Sequence, residues 1–121
     1  MEAFFDQRKH PKVVLRVKGR KQVAQFEAIL DTGFDGYLSL PINIAVSLGL
    51  ELITVTQVEY ADGRTSQELV FSIDINLDGI WRSVPLTLTG GSEALAGTAL
   101  LENYSINFNF PNQKISINKH K

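Results

Sequence analysis

The residues of this sequence that are best suited to chemistry form one short turn, Asp31-Thr32-Gly33, directly after an apolar run. A carboxylate at the end of a buried strand is costly unless it is hydrogen-bonded, paired or shares a proton. Thr32 adds a hydroxyl beside the carboxylate, and Gly33 allows a tight turn and the close approach of another group. The same three residue types are common in ordinary strand-exit turns, so the turn alone is compatible with both interpretations.

Peptide hydrolysis by carboxylates needs one group that acts as a base and a second that acts as an acid. Two carboxyl groups about 3 Å apart cannot both ionise, so they share one proton and titrate as a pair. The sequence contains a single Asp-Thr-Gly. If the turn is catalytic, the second carboxylate is therefore Asp31 of another copy, and a two-fold axis through the turn is the simplest arrangement that supplies it. This reasoning predicts a homodimer.

The segment that leads into the turn has the alternation of a half-buried β-strand. Phe26, Ala28 and Leu30 fall on one face, and the residues between them fall on the other. Residues 13–18 alternate in the same way and are separated from this segment by the turn-forming residues 19–21. We therefore predict a β-hairpin that delivers Asp31 at its end.

The rest of the chain has the pattern of short strands separated by tight turns. We predict strands over residues 53–60 and 69–77, with an Asp-Gly turn after each, at residues 62–63 and 78–79. Pro41 starts a short predicted helix that Gly49 ends, and Thr98 is a candidate N-cap for a second helix to Asn103. Many short strands with one or two short helices predict an all-β fold, a barrel or a sandwich.

Length and composition indicate one ordinary globular domain. The chain has 121 residues, of which 44% are hydrophobic and 21% charged, and its net charge is −1. This balance permits a core and gives no indication of a nucleic acid or an anionic membrane as partner. No apolar run has the length of a signal peptide or a membrane span. We therefore expect residues 1–121 to form a single cytoplasmic domain.

Cofactor and metal chemistry have little support in the sequence. Cysteine is absent, and His10 and His120 have no ligand-type spacing to other candidate ligands. The pair Gly90-Gly91 lacks the Lys-Ser/Thr and the helix of a phosphate-binding loop. We expect no metal and no cofactor.

Two segments together resemble the signatures of retropepsin-like (clan AA) aspartic proteases, the single-domain kind. The first is Asp31-Thr32-Gly33-Phe34 followed by Leu40-Pro41, which is most similar to a prokaryotic branch with Phe after the Gly. The second, residues 95–110, has two apolar residues, a Gly, a short helix-like stretch and a closing strand. The two signatures stand in the family's order with a hairpin between them. The resemblance covers most of residues 12–110.

The resemblance implies a closed β-barrel of the acid-protease type and an aspartic endopeptidase, a hydrolase acting on a peptide or protein substrate. It assigns the catalytic water to Asp31 and its symmetry mate, a hydrogen bond across the dimer to the hydroxyl of Thr32, and contact with the substrate backbone to Gly33. It makes the hairpin around residues 60–64 a flap that closes over an extended peptide. The substrate-binding residues that it implies are Phe34, Asp35, Tyr60, Ala61, Asp62, Gly63 and Leu95.

The sequence departs from the family pattern at several positions. Phe34 replaces a small residue, and Thr98 stands where the family often has an Arg that pairs with an acidic residue such as Asp35. The flap has the single glycine Gly63 at its tip, and a further hairpin follows Phe110. Phe34 and the charged residues Asp62 and Arg64 beside Gly63 motivate an alternative hypothesis, a non-catalytic dimeric peptide-binding or scaffold module with the same fold. A monomer with a different hydrolytic role is a third hypothesis.

Overall fold

The alternation of apolar and polar residues in the sequence corresponds to ten β-strands and one short helix. The computed structural model describes residues 1–120. The strands are β1 (Ala3–Phe5), β2 (Pro11–Lys18), β3 (Val23–Leu30), β4 (Leu38–Pro41), β5 (Glu51–Glu59), β6 (Thr65–Leu77), β7 (Ile80–Thr89), β8 (Ala94–Ala96), β9 (Tyr104–Asn109) and β10 (Lys114–Lys119), and the helix is α1 (Ile42–Leu48).

Six strands close into a barrel in the order β2-β3-β8-β4-β7-β6, and β6 returns to pair with β2. The closing pair is antiparallel and runs from Arg16 opposite Asn76 to Lys18 opposite Asp74. Strand β1 extends β2, β5 extends β6, and β9 and β10 form a separate two-stranded sheet. The predicted all-β fold with a closed barrel is therefore confirmed, with one helix.

The predicted hairpin before the Asp-Thr-Gly turn is present and supplies much of the core. On β2, Val13, Leu15 and Val17 are at most 1% exposed, and on β3 Ala28 and Leu30 are buried. Burial of a Val or Leu side chain stabilises the folded state by about 1.5–3 kcal/mol. The largest fully buried side chains all belong to this barrel core: Leu15, Leu38, Leu40, Leu48, Ile73, Ile75, Leu86, Val13 and Val17.

Helix α1 has the predicted limits. It begins after Pro41 and ends at Gly49, whose φ of +68° is in the left-handed region that glycine adopts readily. The N–H of Gly49 donates to the carbonyl of Val46 at 3.2 Å and completes the last turn. Within residues 1–120, no helix is long and apolar enough to cross a membrane.

The prediction of a second helix from Thr98 to Asn103 is wrong, because residues 98–103 form successive turns. The N–H groups of Leu100, Leu101 and Tyr104 donate to carbonyls three residues earlier, at 3.2, 3.1 and 2.9 Å. So short a segment makes too few helical hydrogen bonds to offset the cost of helix nucleation. Contacts with the rest of the protein therefore decide its conformation.

The hairpin of β5 and β6 projects from the barrel. Strand β6 pairs with β7 only from Val70 onward, and its first residues pair with β5 alone among residues 1–120. Every residue of β5 except Val58 is exposed. Apart from Val70, apolar residues alternate with polar ones from Leu69 to Leu77, and Ile73, Ile75 and Leu77 are buried, but Leu69 is exposed because no core lies opposite the projecting part.

Candidate active site

Asp31 directly follows β3, and hydrogen bonds to its backbone and its side chain fix its position. Its N–H donates to the carbonyl of Ala96 on β8 at 3.0 Å, and its own carbonyl accepts the N–H of Phe34 at 3.2 Å. Its carboxylate oxygen Oδ1 accepts the N–H of Gly33 at 2.9 Å. The other carboxylate oxygen has no hydrogen-bond partner among residues 1–120. The half-buried carboxylate is thus oriented by its own turn, with one oxygen left for another group.

We call residues 31–37 the Asp31 loop and residues 97–103 the docking turn. Strand β8 lies between β3 and β4, parallel to the first and antiparallel to the second. It therefore places the docking turn directly against the Asp31 loop, where three consecutive backbone N–H groups donate to loop carbonyls. These bonds run from Gly97 to Tyr37, from Thr98 to Phe34 and from Ala99 to Gly36, at 3.0, 2.9 and 3.1 Å.

The close approach of the two segments requires glycine at position 97. A Cβ on Gly97 would lie 2.2 Å from the carbonyl oxygen of Gly36 and 2.7 Å from a ring carbon of Phe34. A Cβ on Gly36 would lie 2.6 Å from the same ring. The two glycines therefore make room for Phe34, whose ring packs against its own loop.

Thr32 and Gly33 are exposed residues of the Asp31 loop. The hydroxyl of Thr32 has no hydrogen-bond partner in the described part of the chain, residues 1–120. A Cβ on Gly33 would meet only Asp31 Oδ1, at 3.3 Å. This surface of the loop is therefore open to a second molecule.

Thr98 contacts the Asp31 loop in a different way from the Arg of the family pattern. Its hydroxyl lies 3.4 Å from the Phe34 carbonyl oxygen, which also accepts the Thr98 N–H. The prediction that Thr98 is the N-cap of a helix is therefore wrong. Thr98 instead binds the backbone of the Asp31 loop. Asp35 is exposed and has no ion-pair partner among residues 1–120.

A cavity of about 230 Å³ lies beside the Asp31 loop. Of the residues that line it, the sequence suggested only Phe34 and Asp35, and not the rest of the loop or those contributed by β6 and β7. The alternation of β6 places Glu68 and Val70 on one face, yet the pattern alone does not reveal that this face meets the loop. The lining residues are Phe34, Asp35, Gly36, Tyr37, Leu38, Glu68, Val70, Pro85, Leu86 and Thr87.

The predicted flap residues lie at the hairpin tip, residues 60–64, and none of them lines that cavity. Tyr60 is 51% exposed, and Ala61, Asp62 and Gly63 are exposed as well. The N–H of Tyr60 donates to the carbonyl of Arg64 at 2.8 Å, and the Asp62 carboxylate accepts the Arg64 Nε at 2.6 Å. These hydrogen bonds of the tip are all made within residues 60–64.

Leu95 is also placed away from the cavity. It lies at the centre of β8, opposite Ile29 of β3 and Ser39 of β4. Its neighbours Ala94 and Ala96 are buried, whereas Leu95 itself is half-buried on the other face of the strand. Asp31, Gly33, Phe34 and Asp35 thus belong to one loop, whereas Leu95 and the hairpin tip do not line the cavity beside it.

The described side chains do not include a ready metal site. Among residues 1–120, no three His, Cys, Asp or Glu side chains lie close enough together to hold a metal ion.

A scan against models of known protein families finds no match, and a search of curated proteins finds none either. Any functional assignment therefore depends on the geometry around Asp31.

Proposed function

We propose that this protein is an aspartic endopeptidase of the retropepsin type, which hydrolyses peptide bonds with water held by the Asp31 carboxylates of a homodimer. The observation that supports the proposal most strongly is the Asp31 carboxylate itself. One of its oxygens accepts the Gly33 N–H, and the other has no partner among residues 1–120. Backbone hydrogen bonds to β8 and the docking turn fix the Asp31 loop, and Thr32 and Gly33 are exposed.

In the proposed dimer, the two Asp31 carboxyl groups share one proton because two charges at that separation repel each other. The ionised carboxylate takes a proton from the water, which attacks the peptide carbonyl carbon. The protonated carboxyl donates to the carbonyl oxygen, and a proton then passes to the leaving nitrogen. Both groups need a fixed orientation, which the Gly33 N–H provides on each side.

The exposed residues of the loop have natural roles in this dimer. The hydroxyl of Thr32 is available for a hydrogen bond to the partner's loop, and Gly33 has no side chain to block the substrate backbone. The hairpin tip has its hydrogen bonds within itself, so it can move without breaking bonds to the barrel. Closure of such a hairpin over a peptide excludes water from the reaction.

The decisive experiment is the substitution Asp31→Asn. We expect it to abolish cleavage of a peptide library between pH 3 and pH 7, with no loss of folding or of the dimer in sedimentation at micromolar concentration. Asp74→Asn is the matched control, since Asp74 lies on β6 and its carboxylate accepts the hydroxyl of Ser83, away from the loop. Unchanged turnover in Asp31→Asn would reject the mechanism, and a monomer that cleaves peptides would reject the shared dyad.

A dimeric peptide-binding module without catalytic activity is the second candidate. It is favoured by the ring of Phe34, which occupies space against Gly36 and Gly97, and by the charged hairpin tip. This candidate predicts that the wild-type protein binds extended peptides and leaves them intact over the whole pH range. Cleavage that is lost in Asp31→Asn would exclude it.

A further inference from the structure

Two carboxylates near Asp31 take no part in the mechanism proposed above. Asp35 of the Asp31 loop and Glu68 of β6 line the same cavity of about 230 Å³. Asp35 is exposed and Glu68 is half-buried. Neither has an ion-pair partner or a side-chain hydrogen bond among residues 1–120. The cavity therefore carries two negative charges that the described chain leaves unbalanced.

A different carboxylate cluster of the same protein contains its own cation. Asp6, Glu27 and Glu93 surround Lys12, with nitrogen–oxygen distances of 3.2, 3.8 and 3.5 Å. There the cation belongs to the fold. In the cavity beside the Asp31 loop, a complementary cation has to come from outside residues 1–120.

Most of the other residues that line the cavity are apolar. They include Phe34, Val70 and Leu86, of which Leu86 is only 1% exposed. The volume is below the roughly 300–1,000 Å³ that is typical of sites for whole small-molecule ligands. Such a cavity suits a single side chain with an apolar stem and a charged end, which describes lysine and arginine.

We propose that this cavity is a substrate subsite that holds a lysine or arginine side chain close to the scissile bond. The stem packs against Phe34 and Val70, and Asp35 and Glu68 contact the cationic group. Asp35 is four positions after Asp31 in the same loop, and Asp31 itself does not line the cavity, so the basic residue lies beside the bond that is cut rather than at the catalytic carboxylates. The inference rests on the proposed protease function and names its substrate class, peptides with a basic residue near the cleavage point.

The first test measures binding without requiring catalysis. The ¹⁵N-labelled Asp31→Asn protein is titrated with N-acetyl-lysine methylamide and, separately, with the uncharged N-acetyl-norleucine methylamide. We expect the lysine probe to shift the amide signals of Asp35, Gly36 and Val70, and to bind at least about fivefold more tightly than the norleucine probe, because only it has the complementary charge. Equal binding of both probes, or shifts elsewhere on the protein, would overturn the subsite.

Substitutions of the two carboxylates test whether they bind the charged end of the lysine probe. Glu68→Gln and Asp35→Asn should each reduce the preference for the lysine probe by about three- to tenfold. Glu59→Gln is the control, since Glu59 is an exposed carboxylate on the adjacent strand β5 and does not line the cavity. An equal loss in Glu59→Gln would show a general charge effect and reject the assignment.

The second test is the cleavage profile of the wild-type protein on a peptide library. We expect Lys and Arg to be enriched at one position near the cut, and Glu68→Gln to weaken this enrichment. Cleavage with no preference for basic residues would reject the subsite and leave the protease function intact. Selective lysine binding without cleavage would reject the protease function and leave the subsite intact.

Discussion

The Asp31 loop and the hairpin tip differ in where their backbone hydrogen bonds go. The loop receives bonds from Gly97, Thr98 and Ala99, which are distant in sequence, and Asp31 itself donates to Ala96. The tip is closed by bonds between Tyr60, Gly63 and Arg64, all within five residues. The Asp31 loop is thus hydrogen-bonded to distant parts of the chain, whereas the hydrogen bonds of the hairpin tip are local.

Burial follows the same division. Ala94 and Ala96 of β8, which hold the docking turn in place, are at most 2% exposed, whereas strand β5 is exposed along almost its whole length. Local opening of a structure costs less free energy where few buried contacts are lost. The comparison indicates a firmly held Asp31 loop and a hairpin tip that opens at lower cost in free energy, and the proposed dimeric site requires the first of these.

The largest effect is expected where the loop and the docking turn meet. Gly97→Ala would place a Cβ 2.2 Å from the Gly36 carbonyl oxygen, so the two segments must separate. We expect a loss of about 2–3 kcal/mol in the free energy of unfolding, measured by urea denaturation, together with loss of activity. Gly90→Ala is the control, because its Cβ would have no heavy atom within 4 Å. Similar stabilities for the two variants would contradict a tightly held loop.

A smaller effect is expected at the start of β9, directly after the docking turn, where the Tyr104 hydroxyl donates to Asp78 at 2.6 Å. Burial, and then this hydrogen bond, raise the pKa of Tyr104 to about 12 from 10.0. The unfolded chain therefore loses the tyrosine proton at lower pH than the folded one, and the stabilisation present below pH 10 disappears as the pH rises toward about 12.

Tyr104→Phe should remove this alkaline dependence and cost about 1 kcal/mol of stability at neutral pH. Tyr60→Phe is the matched control at the hairpin tip, where the tyrosine is 51% exposed and its hydroxyl has no partner among residues 1–120. We expect the control to behave as the wild type in denaturant titrations between pH 8 and pH 12. If the stability of both variants depended on pH in the same way, the Tyr104 hydrogen bond would not be the cause of the alkaline dependence.

The smallest effect is expected within the hairpin tip. Asp62→Asn removes the negative charge that pairs with Arg64. The Asp62 side chain is 53% exposed and the Arg64 side chain 80%. Exposed pairs of this kind contribute little, so the free energy of unfolding should change by less than about 0.5 kcal/mol. A loss above about 1 kcal/mol in urea denaturation would show that the tip is held more firmly than its contacts indicate.

Local features of the fold were predicted correctly because they depend on neighbouring residues. The hairpin of β2 and β3 follows from period-two alternation, and the turn at Asp78 and Gly79 has the positive φ values, 54° and 91°, that the Asp-Gly pair suggested. The limits of α1 follow from Pro41 and Gly49. The Asp-Thr-Gly turn at the exit of a buried strand belongs to the same class of local prediction.

The errors occurred where a distant segment decides the outcome. Thr98 was interpreted as a helix cap, but the Phe34 carbonyl binds its N–H and lies near its hydroxyl, and the segment forms turns. Leu69 has the pattern of a core residue and is exposed, because β6 extends beyond the barrel there. In both cases the residue type is compatible with two environments, and local pattern cannot choose between them.

Local pattern suffices to place Asp31 at the end of an apolar strand, to indicate a chain of short strands and to locate most of the turns. The contact of the docking turn with the Asp31 loop, and the cavity that Glu68 shares with Asp35, depend on how the strands assemble. The physical reason is that strand order and register bring distant residues together, whereas hydrophobic period and turn chemistry report only on neighbours along the chain.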